Sequence, residues 1–372
     1  MTKKRIPYVA LGSQWDSEKE DLLKIINKVM SEGQYVGGRH VDLFEKNIAK
    51  LCDVKYAASF NSGTDALTIA LSVLGIKRGD EVLTTPNSFI ASTAVIVHLG
   101  AKPVFVDTLP DQNIDPNKIE GLISKKTKAI MPVHLTGRIS EMQEINKIAR
   151  KYNLFVIEDA AQAVGSKYKN KMSGSLGHVG CFSTHPLKNL NASGDGGFLT
   201  TNNKKIWEKA KLISNHGMSG RDKVEKFGFV SRMDNLQAAI LNYRMKKLKK
   251  VINQRRKNAK FYMENLNREN VFFPDEKDYQ FNSYHTFVIQ VKDRDGLKKF
   301  LKSKGIDTAI HYPIPIHLQP AAEGLNYKAG DFPQTEKQAR SILTLPINQF
   351  LSTDQLEYIT KNVNDYVNRI QN

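Results

Sequence analysis

Between about residues 55 and 200 the chain alternates short apolar runs with stretches of helical period. The apolar runs cover residues 56–60, 81–85, 103–107, 129–134, 154–159, 177–183 and 197–201. Helical spacing lies between several of them, for example over residues 66–74 and 139–151. Such alternation predicts an α/β layer: seven strands, mostly parallel, with helices making the crossovers. In open sheets of this kind ligands collect at the carboxyl ends of the strands. Several polar residues of this chain follow such ends.

After about residue 244 the texture changes. Residues 244–257 form the densest basic run, with Met245, Leu248, Val251 and Ile252 at helical spacing. This reads as an amphipathic helix with a solvated basic face. A strand is expected over 281–291, a helix over 295–304 ended by Gly305, a proline-broken loop over 311–317, and a helix over 353–369. The expected organisation is a large domain, residues 1–249, followed by a smaller α+β domain, residues 250–372.

Composition narrows the function classes. No apolar run approaches the length that crosses a bilayer, and the basic N-terminus is not followed by a signal-peptide core. The two cysteines, Cys52 and Cys181, make no disulfide framework and are too few for a zinc site, which fits a reducing cytoplasm; no metal site is expected. The net charge of +17 is spread over nearly every segment. It reads as a lysine-rich background rather than a nucleic-acid footprint, which would cluster.

One lysine stands out by its setting. Lys188 lies between Ser183-Thr184-His185 and a glycine-rich stretch ending Gly194-Asp195-Gly196-Gly197. A lysine amine forms a Schiff base with an aldehyde cofactor, and glycines let backbone approach it. Twenty-nine residues earlier Asp159 ends an apolar run, where a carboxylate can hold a pyridinium nitrogen protonated. The same Asp would also serve as the N-cap of a helix starting near Ala160. Gln162 lies one helical turn beyond it. Ser62-Gly63-Thr64-Asp65 follows a strand with capping-box spacing. It reads either as a plain capped helix or as a phosphate site at a helix start. Phe89, past another strand end, reads as core or as a ring that stacks on a flat cofactor. Ser183 ends the strand before the lysine. These parts occur in one ordered series, the parts of a pyridoxal phosphate site.

At this point the chain resembles the DegT/StrS family of pyridoxal phosphate-dependent sugar aminotransferases, within the fold type I transferases. The resemblance runs nearly end to end. It is carried by Gly33-Gln34-Tyr35-Val36-Gly37-Gly38, Ser62-Gly63-Thr64-Asp65-Ala66-Leu67, His134-Leu135-Thr136-Gly137, Glu158-Asp159-Ala160-Ala161-Gln162-Ala163 and the Lys188 segment. Asn215-His216-Gly217-Met218, Ser231-Arg232-Met233-Asp234-Asn235 and His311-Tyr312-Pro313 extend it.

The resemblance implies roles at matching positions. Lys188 would carry the cofactor and shuttle the proton, with Asp159 on the ring nitrogen and Gln162 near the phenolic oxygen. Phe89 would stack on the ring, and Ser62, Gly63, Thr64 and Ser183 would hold the phosphate. His185, His311 and Tyr312 would face the sugar, His311 and Tyr312 in a neighbouring subunit's site of a homodimer; His317 reads either as a further sugar contact or as a structural loop histidine. Lys188-Asn189-Leu190 with the following Gly194-Asp195-Gly196-Gly197 matches members that act on 3-keto sugars. The implied reaction passes the amino group of L-glutamate to a nucleotide-linked keto-sugar, for surface polysaccharide or glycosylated metabolites. It takes place in the cytoplasm, with neither nucleic acid nor membrane as partner. Two other readings stand beside it. One is a sugar dehydratase, whose relatives carry histidine at the lysine position; the other is a non-enzymatic regulatory member. One departure is Val230, where the family usually carries an asparagine that reaches the cofactor phosphate across the dimer. Either a neighbour such as Ser231 substitutes, or this contact is missing. Arg138 is a second, milder departure, read as a contact to an acidic part of the ligand.

Overall fold

The computed structural model describes residues 5–369. All seven apolar runs form strands: β1 (Tyr56–Phe60), β2 (Glu81–Thr84), β3 (Lys102–Phe105), β4 (Thr127–Ile130), β5 (Phe155–Asp159), β6 (Val179–Ser183) and β7 (Gly197–Thr201). They make one sheet in the order β1-β7-β6-β5-β4-β2-β3. Neighbours from β6 through β3 are parallel, and β7 runs antiparallel to both β6 and β1. This is the α/β, mostly parallel architecture of the fold type I transferases. Strands covered on both faces have little polar content, which is why they were legible as continuous apolar runs.

Helices α1 (Leu11–Glu32) and α2 (Arg39–Leu51) precede the sheet. Between the strands lie α3 (Gly63–Val73), α4 (Ala91–His98), α5 (Met142–Tyr152) and α6 (Lys204–Ser214). Leu67, Ile69, Ala70 and Leu71 of α3 pack with Val82, Ile157, Val179 and Leu199 of the sheet in one buried cluster. A hairpin, β8 (Met218–Gly220) with β9 (Lys223–Val224), leads to α7 (Asn235–Met245).

The basic run does not form one helix. It breaks at Lys246-Lys247, between the end of α7 and α8 (Leu248–Asn265). Nor is its basic face uniformly solvated: Arg244 turns inward to Glu18 at 2.8 Å, and Arg255 is buried.

The C-terminal part has its own apolar cluster, which includes Tyr262, Phe287, Ile289, Leu301, Leu343 and Ile359. It contains the antiparallel pair β10 (Phe287–Gln290) and β11 (Ile342–Leu345). Around the pair lie α9 (Arg294–Ser303), α10 (Pro333–Ser341) and α11 (Thr353–Arg369). The strand expected over 281–291 is shorter than its apolar pattern. Tyr284 takes a positive φ of 46°, and the Ser283 and Thr286 N–H groups donate to the carbonyls of Gly137 and Thr136. That segment leaves the ladder to reach the large sheet. No helix among the described residues is long and apolar enough to cross a membrane.

Candidate active site

A cavity of about 380 Å³ opens at the carboxyl ends of β1, β5 and β6. Every residue expected to hold the cofactor lines it, and so do His185, His311 and Tyr312. His317 does not.

One end of the cavity is a helix start. The Ser62 hydroxyl accepts the Asp65 N–H at 3.0 Å, so Ser62 is the N-cap and α3 begins at Gly63. The first N–H groups of a helix have no partner inside it, and here Gly63 and Thr64 line the cavity. Gly63 also packs directly on β6. A methyl group at its α-carbon would meet Ser183 Cβ at 2.7 Å and Cα at 3.0 Å. Gly63→Ala is therefore expected to push α3 and Ser183 apart, costing about 1–3 kcal/mol of stability and weakening cofactor affinity roughly tenfold. Thermal denaturation and a cofactor titration read the two effects.

At the other end stands Asp159, only 4% exposed. Alternation along β5 sends Asp159 into the cavity and Glu158 to the opposite face. Glu158 accepts from His134 Nε2 at 3.0 Å and from the N–H groups of Gly174, Leu176 and Gly177. This satisfied, fully buried cluster anchors the strand behind Asp159. Asp159 itself accepts from Ser92 Oγ at 2.6 Å and from Ala161 N–H at 3.2 Å. Residues 160–165 form turns rather than the anticipated helix, so Asp159 closes a turn and Gln162 follows on that turn. Burial pushes the Asp159 carboxyl up, against the Ser92 and Ala161 hydrogen bonds and the Lys188 charge, which pull it down. No basic side chain among the described residues bonds to it. A pyridinium placed there would supply the missing cation.

Lys188 lies between these ends, half-buried, and lines this cavity. Burial lowers its amine to about 8, opposed by the Asp159 carboxylate. At pH 7 roughly one amine in ten is then uncharged, against about one in three thousand at the ordinary value. The loop is held on both sides of the lysine. The Lys188 N–H donates to the His185 carbonyl at 2.8 Å, and Asn189 Nδ2 donates to the Ser283 carbonyl at 2.9 Å.

Phe89 is 57% exposed, so it is not core, and its face is free for a ring to stack on. Tyr312 stands 6.2 Å from it, centroid to centroid. Gln162 is fixed by the Thr136 N–H, donated to its Oε1 at 2.8 Å, and its Nε2 donates to Tyr312 Oη at 3.5 Å. A phosphate cradle, a stacking ring, a buried carboxylate lacking a cation and an amine of lowered basicity thus fit pyridoxal phosphate in shape and charge.

The structure corrects several expectations. His311 and Tyr312 line the cavity of their own chain. His311 Nδ1 pairs with Thr344 Oγ1 at 2.9 Å, and burial, then the Lys188 charge, lowers the ring to about 4, so it is neutral. His317 is buried outside the cavity, its Nε2 at 3.2 Å from Glu336 and its ring against Phe332. That is a structural contact. Arg138 does not line this cavity; its guanidinium donates to Pro274 and Asp275 carbonyls and to Gln280. Ser231 is buried, and its hydroxyl donates to Asn61 of its own chain at 3.2 Å. Val230 is 55% exposed on the segment that also presents Phe227 and Phe229.

One site residue escaped the sequence reading. His285 lines the cavity, with burial and the charges of Lys188 and Arg255 holding it neutral. A lone histidine inside an apolar run carries no spacing signal. Only the departure of residues 282–286 from the ladder brings it here.

The sequence profile of the DegT/DnrJ/EryC1/StrS aminotransferase family matches residues 16–364. A dTDP-3-amino-3,6-dideoxy-alpha-D-galactopyranose transaminase of Aneurinibacillus thermoaerophilus is 39% identical over 97% of this chain and 99% of its own. A pleiotropic regulatory protein of Geobacillus stearothermophilus is also 39% identical, over 97% of this chain and 98% of its own. The crystal structure of S. venezuelae DesV in complex with a ketimine intermediate superposes with a TM-score of 0.95 at 34% identity, covering 98% of both chains.

Proposed function

The chain belongs to the DegT/DnrJ/EryC1/StrS aminotransferase family and is a sugar aminotransferase that uses pyridoxal phosphate, and we propose that it carries the amino group of L-glutamate to C3 of a nucleotide-linked 3-keto-6-deoxy sugar. The observation that carries the site assignment is the pairing, in one cavity, of an amine lowered to about 8 with a buried carboxylate that lacks a cation. The C3 assignment is supported by the Asn189–Gly197 segment and by the 3-amino sugar named for the A. thermoaerophilus relative.

When bound, pyridoxal phosphate supplies an aldehyde for the amine and a ring that accepts electrons from the substrate carbon. The rest falls to the protein. Ser62, Gly63, Thr64 and Ser183 hold the phosphate, and Phe89 covers one ring face. Gln162 fixes the edge near Tyr312. Asp159 holds the proton on the ring nitrogen. Lys188 Nζ would hold the cofactor at rest and would take up and return the proton of the substrate carbon. Its lowered basicity suits that exchange near neutral pH. His185, His311 and Tyr312 orient the sugar, the neutral His311 by hydrogen bonding rather than charge.

A panel of nucleotide-linked keto-sugars, each incubated with L-glutamate and the holoenzyme, tests this. An amine product at C3 is the expected outcome. Amination of 4-keto substrates alone would move the assignment to C4, and deoxygenation without amine would replace it with dehydration. The dehydratase reading draws no support from the site, since Lys188 stands where such relatives carry histidine.

The protein is proposed to act in the cytoplasm as a homodimer. Val224, Phe227, Phe229 and Val230 form an exposed apolar segment around the β8–β9 hairpin, and a second copy of the chain would cover it. With valine at 230 the contact made there is apolar. Light scattering is expected to give twice the 41.9 kDa chain mass; a monomer would remove the homodimer from the proposal.

A further inference from the structure

A second cavity, of about 450 Å³, shares Leu187 and Lys188 with the first as a common wall. Its other walls are the segment entering α1, the loop after β11 and one face of α8. Arg255 of α8 lines it and is only 7% exposed. Its Nη1 donates to the carbonyls of Tyr284 and His285 at 3.3 and 3.1 Å. Among the described residues no carboxylate pairs with it, and its Nε has no partner.

Other inward-facing arginines are compensated. Arg244 pairs with Glu18 at 2.8 Å, Arg256 with Glu276 at 2.7 Å and Arg294 with Asp295 at 2.7 Å. Arg138 lacks a carboxylate but spreads over three oxygens with two nitrogens. A guanidinium is buried without a counter-ion only at high cost, unless a ligand brings one. Burial lowers Arg255 to about 10, so it remains charged at neutral pH.

The surroundings repeat the pattern. Asn189 Oδ1, Asn348 Nδ2 and Gln349 Oε1 are buried polar atoms without partners among the described residues, all on residues of this cavity. Lys247 and Lys250 add charge at the same cavity, and Glu18, its carboxylate, is already committed to Arg244.

We propose that this cavity is an oxyanion site, centred on Arg255, which holds the anionic group of a substrate while its reacting carbon lies at Lys188. The inference rests on the aminotransferase reading above. Two substrates of that reaction carry a suitable group: the donor a carboxylate, the sugar nucleotide a phosphate. Each must bring its carbon to Lys188 in turn, so one anchor beside that lysine can serve either. The fork of a guanidinium fits both oxyanions.

The test uses the full-length holoenzyme and follows the two half-reactions separately by absorbance. L-glutamate is given alone; the keto-sugar nucleotide is then given to the aminated enzyme. Arg255→Gln and Arg255→Lys are expected to keep the resting absorption band and to weaken binding about tenfold or more in at least one arm. Loss in the glutamate arm assigns the carboxylate, loss in the sugar arm the phosphate, and loss in both a shared anchor. Folded Arg255→Gln with both arms within about twofold of wild type overturns the site. Should neither variant fold, phenylglyoxal labelling of Arg255 in the wild-type protein decides. Slowing by inorganic pyrophosphate or by glutarate supports the site, and no protection by either overturns it. Wild-type protein that shows no spectral response to L-glutamate would instead sink the underlying reaction.

Discussion

Lys188→Ala is expected to lower amino transfer by a factor on the order of a thousand or more, while leaving the fold and cofactor affinity largely in place. The asymmetry follows from the geometry. The phosphate cradle, Phe89 and Asp159 stand on other elements and survive the change. The proton acceptor does not: burial makes His285 and His311, the buried histidines of the cavity, weak bases, and His311 Nδ1 is engaged with Thr344. Borohydride should fix cofactor onto wild-type protein at Lys188 and leave the variant unlabelled. The same amine fixes a pH dependence. Only its uncharged form attacks an aldehyde, so uptake of pyridoxal phosphate by the stripped protein should rise with pH and reach half its maximum near pH 8. A variant retaining even a tenth of wild-type turnover would remove Lys188 from the chemistry.

Why this lysine was legible and Arg255 was not is a matter of physical setting. Lys188 stands in a stretch whose neighbours are serine, histidine and glycine, residues that packing alone does not ask for. Arg255 belongs to a run of basic residues at helical spacing, where a solvated face is the ordinary reading. Its burial is decided by the break at Lys246-Lys247, which re-aims α8, and by the 282–286 segment that folds over it. The strands were readable because burial on both faces leaves a continuous apolar run. The fate of His317 was not, since a proline-broken loop's own sequence does not say which of its residues the fold buries. Phe89 shows the converse. Its identity suited a core position, and only its exposure at the carboxyl end of β2 makes it a stacking surface.

Asp159→Asn should separate function from stability. Asparagine can keep both local hydrogen bonds, its oxygen toward the Ala161 N–H and its amide toward a Ser92 hydroxyl turned to accept. What it removes is the charge. Without a cofactor, that charge is a liability. Burial raises the Asp159 carboxyl above its unfolded value. The native state therefore holds the proton more tightly than the unfolded chain, and stability is lost as pH rises through the folded value. At neutral pH the cofactor-free variant should accordingly melt at the same temperature as the wild type or higher. With the cofactor the sign reverses, because a pyridinium would pair with the carboxylate and its protonated form is what draws electrons from the substrate carbon. Amino transfer in Asp159→Asn is thus expected to fall by two to four orders of magnitude, roughly, and cofactor to leave more readily. Melting curves with and without pyridoxal phosphate, alongside single-turnover rates with L-glutamate, measure both halves. A variant that loses stability without the cofactor yet keeps its rate would mean that Asp159 serves the turn at Ala161 and not the ring nitrogen.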